Sequence, residues 1–132
     1  MSIVSLLTSK IKPVYAHCDL PCGVYDPAQA RIEAESVLGI MKKYDGLSQE
    51  DKWRAIFIKE QRADLAKQHL WVLWTDYFKP EHLEKYPNLH DLFWKATKQA
   101  GVCKKSVNTA EAEKLLAQIA EIDGIFKETK QA

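Results

Sequence analysis

Residues 17–27 read His17-Cys18-Asp19-Leu20-Pro21-Cys22-Gly23-Val24-Tyr25-Asp26-Pro27. An imidazole and two thiols fall within six residues, in a chain that has three cysteines and four histidines in all. The stretch closes on a helix start. Asp26 can cap, Pro27 has the fixed φ that suits a first helical position, and Gln29 can complete a capping box. A loop dense in metal-ligating side chains therefore leads straight into helical sequence.

Downstream of that junction the first helix is predicted to run to about Lys43 and to stop near Gly46. Ala30, Glu33, Val37, Ile40 and Tyr44 share one face at 3–4 spacing, and Glu33 is the one charge on it. Ser48 and Asp51 open a second helix, from about Gln49 to Asp76, with no Gly or Pro inside. One of its stripes is Ile58, Arg62, Leu65, His69 and Val72; another is Trp53, Ile56, Phe57 and Glu60. A helix apolar on more than one side is expected to meet both bundle mates and another subunit. Phe78-Lys79-Pro80 ends it, because the residue before a proline disfavours the helical region.

Residues 80–86 read as a connector with room for one helical turn. Pro87 opens a third helix to about Cys103, with Leu89, Leu92, Phe93 and Ala96 inward. Asn108 to Glu111 is another capping signature. It starts a fourth helix, from about Thr109 to Lys127, that buries Leu115, Leu116, Ile119, Ile122 and Phe126. No strand, internal repeat or low-complexity segment is visible. The pattern predicts an all-α fold: an antiparallel four-helix bundle, up-down-up-down, with the 17–25 hook hanging from its N-terminus.

At 132 residues the chain is expected to form one domain with a sizeable core. A formal net charge of +1 gives no electrostatic case for a nucleic-acid or membrane partner. No apolar run approaches transmembrane length. Three cysteines are an odd count and a poor disulfide framework for a secreted protein. Residues 1–16 differ from the rest: they carry no acid, Pro13 interrupts any helix, and they end in the small residue Ala16. Lys10 and Lys12 follow the short apolar run instead of preceding it, which argues against an export signal. The segment reads either as a removable leader or as an N-terminal tail. Its loss would take away two lysines and turn +1 into −1.

Three chemistries are open to the hook. Structural zinc takes four ligands, often as two separated pairs; here no second cluster exists and Cys103 is remote in a predicted helix. A Cys18–Cys22 disulfide has three intervening residues and no neighbouring βαβ unit, unlike a thioredoxin-type motif. The third option draws on the backbone. If His17 is the N-terminal residue, its α-amine, the deprotonated Cys18 amide and the two thiolates form a planar N₂S₂ set, which suits Ni(II) or Cu(II). The His17 imidazole can then serve as an axial ligand, and Pro21 permits a tight turn, cis if needed.

The residues resemble the nickel-containing superoxide dismutases. HCDLPCGVYDPAQARIEAESV, the block KEQRADLAKQHLWVLWTDYFKP at residues 59–80, YPNLH and the end AQIAEIDGIFKETK are all similar to that family, and the likeness covers nearly all of residues 17–132. The resemblance implies a domain at 17–132 preceded by a leader at 1–16 that a processing peptidase removes. It implies a homohexamer of four-helix bundles with one nickel ion per subunit, and the lack of an export pattern places the expected location in the cytoplasm. The implied ligands are the His17 amine and imidazole, the Cys18 amide and thiolate, and the Cys22 thiolate. The implied reaction converts two superoxide anions to dioxygen and peroxide by Ni(II)/Ni(III) cycling. Anionic thiolates, an amidate and an axial imidazole all favour the oxidised ion, so the donor set tunes the metal as well as holding it.

The supporting residues carry two readings each. Glu33 and Arg62 are either a plain ion pair between helices or a relay in which Glu33 accepts from the His17 imidazole and Arg62 holds Glu33. Tyr25 and Tyr77 are either packing aromatics or, as the resemblance implies, the residues that restrict access to the metal. Lys79 is a solvated lysine or an attractor of anionic superoxide. His69 is expected in the core or an interface. His82 and His90 have no partner at metal spacing, and Cys103 reads as a small apolar residue. Trp53, Trp71, Trp74 and Trp94 are expected as core or subunit-interface anchors. A non-enzymatic nickel or copper carrier and a helical thiol–disulfide protein are the competing functions.

Overall fold

The computed structural model describes residues 22–131. The leader and residues 17–21 of the hook, with His17, Cys18, Asp19 and Pro21, lie outside the described residues. The helices are α1 (Ala28–Lys43), α2 (Gln49–Val72), α3 (Pro80–Lys85), α4 (Leu89–Lys105) and α5 (Thr109–Gln131), with a 3₁₀ turn at Tyr44–Gly46 and a π turn at Leu73–Tyr77. There is no strand among the described residues. The four long helices match the predicted ones, and α3 is the helical turn expected in the connector.

Local chemistry sets the boundaries. The Asp26 carboxylate accepts from the Ala28 amide at 2.8 Å, and Pro27 takes the cap position just before α1, where the Gln29 capping box expected from the sequence does not form. Ser48 Oγ accepts from the Asp51 amide at 3.1 Å and caps α2. Asn108 Oδ1 accepts from the Ala110 amide at 3.1 Å at the start of α5. The helices pack in a closed ring: α1 touches α2 and α5, and α4 touches the same two from the opposite corner. Chain neighbours joined by short connections are spatial neighbours, as an up-down-up-down bundle requires.

α4 and α5 bury the residues expected of them. Leu89, Leu92, Phe93 and Ala96 are buried, as are Leu115, Ile119, Ile122 and Phe126; Leu116 is half-buried against the same core. Cys103 is fully buried among them. The stripes on α1 and α2 are corrected. On α1 the core takes Ala30, Ala34, Val37 and Met41, while Glu33, Ile40 and Tyr44 lie half-buried at its edge. On α2 the core-facing residues are Ala55, Ala63, Ala66 and Leu70, with Val72 also buried. Trp53 and Phe57 point outward at 71% and 63% exposure. Apart from Val72, the Ile58–Val72 stripe is the one that does not face the core, because α2 turns small alanines to its neighbours, whereas the Trp53–Phe57 stripe forms the second, outward apolar side expected of this helix.

Between Ala55 and Ala63 the core stripe of α2 contains Lys59, which is 1% exposed. Its Nζ donates to the carbonyl oxygens of Cys103 at 2.6 Å and Lys104 at 2.7 Å. Those carbonyls belong to the last turn of α4, where helix geometry leaves them without an intrahelical donor. A buried ammonium is costly unless hydrogen-bonded, and these bonds satisfy both partners. Burial still lowers the Lys59 pKa, against the opposing pull of Cys103 and Glu60.

At the far end of α2 the Phe78 amide donates to the Leu73 carbonyl at 3.1 Å, a five-residue span that marks the π turn. Leu73 is buried and Trp74 packs against the core, while Tyr77 and Phe78 turn toward α5 and α3. The Tyr86 hydroxyl donates to the Glu128 carboxylate and ties the end of α3 to α5.

Candidate metal centre and its mouth

The described part of the hook begins at Cys22, whose thiol is exposed. Gly23 has φ +70°, a left-handed conformation that glycine adopts freely. That turn aims the Val24 amide at Cys22 Sγ, 3.4 Å away. The same sulfur lies 3.8 Å from the Val24 carbonyl oxygen, so the turn folds around it. Cysteine binds metal as the thiolate, and the exposed position of Cys22 suits a ligand. No group of three His, Cys, Asp or Glu side chains that could hold a metal occurs among the described residues. The other expected donors, on His17 and Cys18, lie outside them.

The hook enters α1 beside a mouth built from three elements. Tyr25 meets Tyr77 with ring centroids 5.7 Å apart. Tyr77 is the last residue of the π turn. Its ring packs on Phe126 of α5 at 4.6 Å and stacks on His82 of α3 at 5.8 Å and 17°. Tyr25, Tyr77 and His82 border a cavity of about 420 Å³, shared with Gly23, Asp76, Lys79, Thr129 and Lys130. The Lys79 side chain is exposed there, while its backbone amide donates to His82 Nδ1 at 3.1 Å. The two lysines outnumber the one carboxylate of the lining, Asp76, and this positive balance attracts a small anion electrostatically.

Glu33 and Arg62 meet across α1 and α2. Arg62 Nη1 lies 3.1 Å from Glu33 Oε2 and 3.4 Å from Oε1. The Glu33 side chain is 15% exposed and that of Arg62 40%. The interhelical pair expected from the sequence is thus formed, and the contact assigned to His17 lies outside the described residues.

Three residues of the mouth escaped the sequence reading. His82 has no metal-spaced partner in the sequence, yet it stacks on Tyr77. Thr129 and Lys130 sit 52 and 53 positions beyond Tyr77, and only the return of α5 brings them to it. The one sequence signal for them is that α5 ends polar after the apolar stripe stops at Phe126. Elsewhere, His69 is half-buried on α2. His90 accepts from Trp74 Nε1 at 2.7 Å. Trp74 packs on the core, whereas Trp53, Trp71 and Trp94 are exposed. Burial pushes the Cys103 thiol up to about 11, so it is protonated and chemically quiet at neutral pH.

The fold and site define a four-helix bundle with an exposed N-terminal thiol and, one residue on, a tyrosine- and lysine-lined cleft. The family model of nickel-containing superoxide dismutase matches residues 12–130. The superoxide dismutase [Ni] of Streptomyces seoulensis is 57% identical over 130 residues, 96% of this chain and 97% of that protein. Its counterpart from Streptomyces coelicolor (strain ATCC BAA-471 / A3(2) / M145) is 58% identical over 120 residues, 90% and 92% of the two chains. A native nickel superoxide dismutase structure superposes with a TM-score of 0.86 at 57% identity, over 88% of this chain and all of that one. An apo structure of nickel superoxide dismutase gives 0.82 at 55% identity, over 83% and 100%. The chain belongs to the nickel-containing superoxide dismutase family. It is an oxidoreductase that dismutates superoxide with a nickel cofactor, which sets aside the carrier and thiol–disulfide readings.

Proposed function

We propose that the nickel of this chain is bound by the His17 amine and imidazole, the Cys18 amide and thiolate, and the Cys22 thiolate, in a mature protein that begins at His17. When bound, nickel supplies one-electron exchange between its divalent and trivalent states, which dismutation of two superoxide anions requires. The chain's own residues do the rest. The Cys18 and Cys22 thiolates give the site negative charge that favours the oxidised metal. Glu33 accepts from the His17 imidazole, and Arg62 holds Glu33 in place. Tyr25 and Tyr77 restrict entry to small anions, and Lys79 draws them in.

The observation that supports this reading is that Gly23, the residue after Cys22, lines the same cavity as Tyr25 and Tyr77. The test is metal analysis with electron paramagnetic resonance on the protein as isolated. One nickel per chain and a rhombic trivalent signal with nitrogen hyperfine structure are expected. Signal and nickel content surviving in Cys22→Ser would overturn the ligand set.

The leader belongs to the same proposal. The solved chain matched along its whole length spans 88% of this chain, about 16 residues fewer than the full sequence, while the curated relative aligns over 96% of it. This supports removal of residues 1–16 by a processing peptidase before nickel is bound. A homohexamer is supported by the large apolar side chains that α2 and α4 turn outward, Trp53, Phe57, Trp71 and Trp94. No helix among the described residues is long and apolar enough to cross a membrane. A cytoplasmic location is part of the proposal and rests on the leader's lack of an export pattern.

A further inference from the structure

We propose that Thr129, in the last turn of α5, is a positioning residue that takes the phenolic proton of Tyr77 and so fixes which way that hydroxyl faces at the mouth. The proposal rests on the reading of Tyr77 as a residue of the anion entrance.

Tyr77 Oη and Thr129 Oγ1 are 2.7 Å apart, a distance that leaves the donor undecided. A second bond decides it. Thr129 Oγ1 also lies 2.7 Å from the Phe126 carbonyl oxygen. A carbonyl can only accept, and a threonine hydroxyl has one proton. That proton therefore goes to Phe126. Thr129 meets Tyr77 with a lone pair, and the phenol must be the donor.

The ring is held as firmly as its hydroxyl. Phe126 and His82 pack on it, and the Lys130 ammonium sits 5.5 Å from its centroid. Tyr77 thus gives its only proton to α5 and shows the cleft its oxygen lone pairs. Lys79 and Lys130 together outweigh Asp76 and attract an anion toward the mouth, but the Tyr77 oxygen offers it no donor at close range. An entrance arranged in this way admits a monoanion without holding it.

Thr129→Val removes the hydroxyl at nearly constant shape, and Thr129→Ser keeps it. In the nickel-loaded enzyme, Thr129→Val frees the Tyr77 proton to donate to an anion in the cleft. The inhibition constant of azide, a monoanion probe, should fall by about 3–10-fold, the worth of one hydrogen bond. KM for superoxide should fall with it and kcat should not rise, while Thr129→Ser behaves as the parent. A readout independent of turnover uses the full chain labelled with carbon-13 at the tyrosine ζ position. The Tyr77 resonance, identified by its loss in Tyr77→Phe, should move in Thr129→Val and stay in Thr129→Ser. Adding Thr129→Val to Tyr77→Phe should change azide inhibition no further.

An unmoved Tyr77 resonance in Thr129→Val would overturn the proposal, and so would azide binding that weakens. If the resonance moves but neither Tyr77→Phe nor Lys79→Ala alters KM or azide inhibition, the bond stands and the assignment of this cleft as the entrance is what fails.

Discussion

Arg62 on α2 donates to both carboxylate oxygens of Glu33 on α1, at 3.1 and 3.4 Å. With the arginine side chain 40% exposed, such a pair adds no more than about 1 kcal/mol to stability. In the proposed relay the pair also orients the His17 imidazole through Glu33. Arg62→Ala should lower nickel retention or activity by about 10–100-fold, as loss of an outer hydrogen-bond partner does at other metal sites, with little change in melting temperature. Parent-level activity at full nickel content would reduce the pair to a structural contact.

The thiols should separate cleanly by location. Cys18→Ser and Cys22→Ser should each abolish activity and the trivalent nickel signal while circular dichroism stays helical, because Cys22 is exposed and outside the core. Cys103→Ser should keep both activity and signal, since that thiol is buried between helices. Loss of activity in Cys103→Ser alone, with the fold intact, would move the ligand assignment.

Cys103 should instead reveal itself in alkaline stability. Its thiol is pushed up to about 11 from an ordinary value of 9.0 by burial. The folded chain keeps a proton that the unfolded chain releases above pH 9. The resulting stabilisation is complete below pH 9 and is lost as pH rises through about 11, by about 3 kcal/mol at most. Lys59 works with the opposite sign: its lowered pKa makes folding more favourable as pH climbs toward 10.5. Urea denaturation of the parent and Cys103→Ala from pH 8 to 11 isolates the cysteine part. The stability difference between them should shrink across that range, and a constant difference would refute the assignment.

Lys59→Met should cost about 1–3 kcal/mol, because it removes the donor to the Cys103 and Lys104 carbonyls inside the protein. Hydrogen exchange should show the loss at the last turn of α4 before anywhere else. Uniform exchange across the bundle would argue against a local cap.

The leader yields a prediction from bond chemistry. While residue 16 is attached, the His17 nitrogen is a planar amide and a poor donor. The uncleaved chain supplied with nickel under reducing conditions should be folded but inactive, and removal of residues 1–16 should restore activity. Full activity with the Ala16–His17 bond intact, confirmed by mass, would require another ligand set.

Much of this was legible in the sequence because it depends on local rules. Asp26-Pro27, Ser48 and Asn108 announced three helix starts, and the stripes of α4 and α5 announced their buried faces. Glu33 and Arg62 could be paired because each was an isolated charge on a predicted stripe. What failed depended on size and distance. Alanine scores weakly as a core residue, so Ala55, Ala63 and Ala66 were passed over for the larger side chains beside them. Lys59 looked like any helix-surface lysine, since its partners are carbonyls 44 and 45 positions away. His82, Thr129 and Lys130 meet Tyr77 only through the path of the backbone, which no spacing rule reports.

The π turn at Leu73–Tyr77 makes chain length itself a variable of the site. Each helical residue turns its side chain by about 100°, so one residue more or less re-aims everything downstream. Removing a single residue from 73–77 would restore ordinary α spacing and swing Tyr77 off Tyr25, Phe126 and Thr129, with every ligand left untouched. The entrance is therefore open to change by insertion and deletion as much as by substitution. Relatives that differ in length at this turn should differ in which anions they admit, even where their hooks are identical letter for letter.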